Sequence, residues 1–96
     1  MKINLLYEIQ QAVELSAECK AEHVETVAVV EMFGKQIVWD GVVEVFNLIG
    51  HPKAKRAYGW GYQDGGETRF VAVLEIPPVD SANTAVRLAI AQKAQK

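Results

Sequence analysis

The stretch richest in recognition chemistry is His51-Pro52-Lys53-Ala54-Lys55-Arg56-Ala57-Tyr58-Gly59-Trp60-Gly61-Tyr62. Three cations and a titratable histidine directly precede three aromatic residues that alternate with glycines. Cations hold phosphates and exposed rings stack on bases, which is how sheet-face binders of single-stranded nucleic acid work. The same residues have a structural use. Rings that point under a helix become core, and Lys53, Lys55 and Arg56 then pair with acids of the N-terminal half. The direction of the Trp60 ring separates the two readings, because an inward ring cannot meet a base.

Other constellations are thinner. Cys19 and His23 stand four apart, on one face if the first helix reaches that far. Zinc takes about four ligands, and only His51 and scattered carboxylates are left to complete a set. No metal site and no cofactor are predicted. A nucleophilic dyad of Cys19 with His23 or His51 lacks an oxyanion site and an orienting third group, so no catalytic residue is assigned. Gly59-Trp60-Gly61 lies in aromatic strand sequence with no helix opening after it, so it is not a phosphate loop. Asp40 and Glu44 share a strand face and serve equally well as solvated carboxylates. An enzyme or ligand carrier for small molecules would need a closed pocket holding His51 with Asp40 or Glu44.

Charge and composition narrow the setting. The 96 residues are half hydrophobic and 23% charged, which suits one globular domain, 1–96. The lone Cys19 permits no internal disulfide, and the longest apolar run, Phe70 to Leu74, is far short of the about 20 residues of a spanning helix. A soluble cytoplasmic protein without membrane contact is expected. The net charge of −2 argues against a general nucleic-acid binder. It conceals an acidic half, 1–48, and a basic half, 49–96.

The elements that must position these residues follow from periodicity. Ile3, Leu6, Ile9, Val13 and Ala17 fall on one stripe of a helix predicted over about Ile3 to Ala21. Glu14, Glu18 and Glu22 recur at every fourth residue on its other side, an acidic face that is either solvated or set against a basic surface. Val24–Phe33 and Gln36–Leu48 are rich in β-branched residues and flank the turn Gly34-Lys35, so they predict a hairpin. Gly41 suggests a bulge or a bend. Tyr58–Tyr62 and Thr68–Ile76 form a second hairpin around Asp64-Gly65-Gly66. Asp80-Ser81 offers an N-cap for a helix over Ala82–Ala94 with a stripe of small residues. The expectation is a two-layer α+β domain ordered helix–four antiparallel strands–helix, with both helices packed on one face of the sheet.

Val38-Trp39-Asp40-Gly41, Val43-Glu44-Val45-Phe46, Gly50-His51-Pro52-Lys53-Ala54-Lys55-Arg56 and Pro78-Val79-Asp80-Ser81 resemble the pattern of a group of short uncharacterised bacterial proteins, over about residues 23–92. That resemblance implies no activity, cofactor or partner. The element order also looks like a double-stranded-RNA-binding domain, whose second helix opens with lysines. Here that position reads Asp80-Ser81-Ala82-Asn83, without a cation, so only the topology is similar. The leading expectation is a non-enzymatic module that binds another protein or a second copy of itself as a homodimer. In that homodimer the acids of the first helix would face the other subunit's 51–56. Single-stranded nucleic acid, held by His51, Lys53, Lys55, Arg56, Tyr58, Trp60 and Tyr62, is the second reading.

Overall fold

The computed structural model describes residues 5–94, so Ile3 of the predicted stripe lies outside the described residues. Helix α1 runs Leu5–Ala17, strands β1 Lys20–Phe33, β2 Gln36–Ile49, β3 Arg56–Asp64 and β4 Glu67–Leu74, and helix α2 Ala82–Ala94. The strands form one antiparallel meander in the order β1-β2-β3-β4. This is the predicted α+β domain of helix, four antiparallel strands and helix.

Helix α1 stops four residues short of the predicted Ala21. Glu18 adopts φ 57° and donates its amide to the Glu14 carbonyl at 2.8 Å, a left-handed closure of the last turn. The chain then reverses into β1, so Ala21 packs back against Ile9 and Val13. Glu14 consequently serves the strand: its Oε2 accepts the Ala21 amide at 2.9 Å, while Gln10 Nε2 donates to the Ala21 carbonyl at 2.7 Å. Glu22 lies on β1. The acidic helical face of Glu14, Glu18 and Glu22 therefore does not form, because only Glu14 is helical.

The β1–β2 ribbon is interrupted at two places, both away from Gly41. His23 pairs with Phe46 and Glu25 with Val45, leaving Val24 as an extra residue; Glu31 pairs with Trp39 and Met32 with Ile37, leaving Val38 extra. Gly41 pairs regularly with Val29, and its missing Cβ makes room for the Trp39 indole, which would lie 3.1 Å from it.

Strand β3 decides where the helices go. Ala57 joins Ile9, Val13, Ala21 and Phe46 in one cluster. Tyr58 and Trp60 join Val29, Val43, Val45, Val79, Ala82, Ala85 and Val86 in another. Neighbouring strand residues point to opposite faces, so α1 covers one face and α2 the other. The helix-on-sheet layer pair thus occurs twice, once on each face, where the sequence expectation had both helices share one. The reason is the alternation of Ala57 and Gly59 with large rings. The small-residue side seats α1 closely, and the ring side fills the space under α2.

The seam between the two hairpins is short. β2 pairs with β3 only along Glu44–Asn47 against Arg56–Gly59. Beyond it the β1–β2 ribbon extends on its own, and among the described residues β1 has no strand on its outer side.

Candidate functional site

The 51–62 segment is built into the fold at most of its positions. His51 Nδ1 accepts the amides of Lys53 at 3.0 Å and Ala54 at 2.8 Å, tightening the turn after Gly50. The Lys55 carbonyl accepts the Leu48 amide and the Arg56 carbonyl the Glu75 amide, each at 2.8 Å. The side chains of Lys53, Lys55 and Arg56 are exposed. Tyr58 and Trp60 are each 3% exposed, turned under α2. Tyr62, at 37%, is the one ring of the three that solvent reaches. It stands six residues along β3 from Arg56, about 20 Å. A base stacked on Tyr62 is therefore far from the phosphate-holding cations, and Tyr58 and Trp60, turned under α2, present no open ring face for a base to stack on.

The Tyr58 hydroxyl donates to Glu75 Oε2. Burial raises its pKa well above the ordinary tyrosine value, and the neighbouring carboxylate raises it further. This hydroxyl is a fixed structural donor, a poor source of protons near neutrality.

The remaining candidates do not converge. His23 lies on β1, so it shares no helical face with Cys19. Its Nε2 sits 2.7 Å from Glu44 Oε1, which also accepts the Thr26 hydroxyl at 2.5 Å. Glu44 is thereby committed to the β1–β2 ribbon, and His51 to its own turn, so the pocket of His51 with Asp40 or Glu44 does not form. Among the described residues, no group of three or more His, Cys, Asp or Glu side chains could hold a metal ion. Nor is any described helix long and apolar enough to cross a membrane.

The strand register locates two further features. The first is a clamp between β1 and α2. Glu31, 7% exposed, accepts Arg87 Nε at 2.7 Å and Asn83 Nδ2 at 3.1 Å. Those two bonds, Arg87 first, hold its carboxyl below the ordinary value, with burial opposing them. Arg87 and Asn83 are four apart on α2, and that spacing was the only available signal.

The second is an uncovered apolar face. Directly paired residues share a face, and the register carries the α1 side of the sheet outward from Phe46 through Glu44 to Val42. Past the reach of α1 this face presents Ala28, Val30 and Met32 from β1 with Ile37 and Val42 from β2. All are exposed, Met32 at 55% and Ile37 at 59%. Phe33 and Val38 beside them are exposed as well.

No family model, curated protein or solved structure matches the chain. Function must then be read from these surfaces alone.

Proposed function

We propose that this protein is a non-enzymatic association module whose β1–β2 hairpin packs against the same hairpin of a second copy. The observation that carries the reading is the stripe of Val30, Met32, Ile37 and Val42, exposed on a sheet face that neither α1 nor α2 covers among the described residues. Isolated exposed apolar residues are ordinary, whereas a contiguous patch of them is characteristic of an interface. Each is already about half covered, so burying the rest of one such side chain contributes about 1 kcal/mol. A two-fold copy covers each stripe with the other, so one sequence feature is used twice.

Charge supports a like partner. Asp40 lies within this face, directly opposite Val30, and Lys35 sits at the hairpin tip nearby. Antiparallel packing of two stripes brings the Lys35 of one copy toward the Asp40 of the other. The edge supports it too. From Thr26 to Val30 the outer strand β1 carries no proline and no charge, the devices that usually block edge pairing.

Sedimentation equilibrium of the wild type and Met32→Glu tests the reading. The wild type is expected to show a concentration-dependent dimer, and the variant to weaken it by at least tenfold. A wild type that is strictly monomeric at several hundred micromolar overturns the proposal.

A further inference from the structure

On the opposite side of the sheet the two hairpins part and leave a cleft of about 580 Å³, lined by Trp39, Trp60, Tyr62, Val71, Ala89, Ile90 and Gln92. We infer that this cleft is a binding site for a neutral, planar, largely apolar small molecule of two or three rings.

Three features set the cleft into the fold. The β2–β3 seam ends at Glu44 and Gly59, so nothing in the sheet fills the space between Trp39 and the far half of β3. The two indoles still touch across that gap, centroids 5.6 Å apart and planes at 73°. Trp60 is fixed in the core, and Trp39 lies along β2 over the absent side chain of Gly41. A ligand therefore meets ring walls already in place, so little ordering is needed on binding. On the helix side the wall includes Ala89, whose small size leaves open the volume that a longer residue would occupy.

The lining chemistry selects the ligand. The volume lies in the range of small-molecule sites, roughly 300–1,000 Å³. Among the described residues, no carboxylate, ammonium or guanidinium lines the cleft. An ionised ligand would lose water there without gaining a counter-charge, which selects a neutral one. The two indoles meet each other edge-to-face, so the partly exposed Trp39 ring is the surface left for a planar guest to pack against. The Gln92 amide supplies a polar handle for a single carbonyl or hydroxyl.

This site is on the α2 side, away from the Val30/Met32/Ile37/Val42 stripe, so it stands or falls independently of self-association. N-phenyl-1-naphthylamine, a neutral three-ring probe, tests it. Titrated into the full chain, the probe is expected to bind saturably at one site per chain, with a blue-shifted emission excited by transfer from Trp39 and Trp60. Ala89→Trp fills the cleft and should weaken binding at least tenfold with the fold intact by far-ultraviolet circular dichroism. Gln92→Trp, at the exposed rim, gives the same readout should Ala89→Trp fail to fold. Met32→Glu should leave probe affinity within twofold, and anionic anilinonaphthalene sulfonate should bind at least tenfold more weakly. Absence of saturable binding below 100 µM overturns the inference. So does undiminished binding in a folded cleft-filling variant, or loss of binding in Met32→Glu, which would place the probe on the stripe.

Discussion

Ile9 of α1 occupies the space that a side chain at residue 59 would need: a Cβ built on Gly59 falls 2.6 Å from Ile9 Cγ2. This contact fixes how closely the first helix lies on β3, and with it the division of the two helices between the two faces. Val13 Cγ2 stands 3.0 Å from the same point, so the helix cannot simply rotate away.

Gly59→Ala is accordingly expected to destabilise the domain by about 1–3 kcal/mol, the usual cost of an extra carbon in a filled core. Gly61→Ala is the control. Its Cβ would meet the Phe70 ring no closer than 3.4 Å, and alanine is the better strand residue, so stability should hold or rise slightly. Urea denaturation of the two variants beside the wild type reads the difference.

The Glu31 clamp makes stability depend on acidity. Its folded pKa lies below the ordinary 4.5, so its contribution is present above that value and is lost as the pH falls through the folded pKa. Glu31→Gln should therefore be less stable than the wild type at pH 7. The gap between them should narrow on acidification, as the wild type loses what the variant never had. Paired denaturation curves at pH 7, 4 and 3 test this.

Tyr58 acts at the other end of the scale. Its folded pKa is raised, so its contribution is complete below the pKa of an unfolded tyrosine and declines as the pH climbs from there through the folded value. Wild type and Tyr58→Phe should give the same native phenolate absorbance up to the onset of alkaline unfolding, because Tyr58 ionises only once α2 has left it. At pH 7 the variant, which loses the bond to Glu75, should be weaker by about 0.5–1.5 kcal/mol.

Glu14 closes the start of an edge strand. Glu14→Ala removes the acceptor of the Ala21 amide, so the exchange of that amide with deuterium should speed markedly while Val29 and Val43 amides keep their protection. The expected loss of stability is about 1 kcal/mol, that of one partly solvated hydrogen bond.

Much of this architecture was legible in the sequence because it is local. The β-branched runs, the Gly34-Lys35 and Gly65-Gly66 turns and the Ser81 cap each announce themselves within a few residues, and Ser81 Oγ does accept the Thr84 amide at 3.3 Å. The end of α1 was not legible, because the Glu14, Glu18, Glu22 repeat continues the helical period past a closure at Glu18 that only the return of Ala21 to Ile9 and Val13 dictates. The sharing of helices between faces was half legible. The Gly59 and Gly61 alternation showed that one side of β3 is bare, yet a bare side can be an open surface or the seat of a helix. The basic-aromatic run misled for a related reason: Tyr58 and Trp60 alternate as an exposed stacking platform would, and α2 buries that side. The stripe and the cleft both arise where β2 leaves β3, a register event set by long-range pairing that no short window of sequence contains.

Self-association through the β1–β2 hairpin is tested most directly by a dilution series of amide spectra on uniformly labelled protein. Concentration-dependent shifts confined to Ala28, Val30, Met32, Ile37, Val42 and their neighbours are the predicted result. A spectrum that does not change with concentration, or shifts gathered on α1, α2 or the 51–56 turn instead, would contradict it.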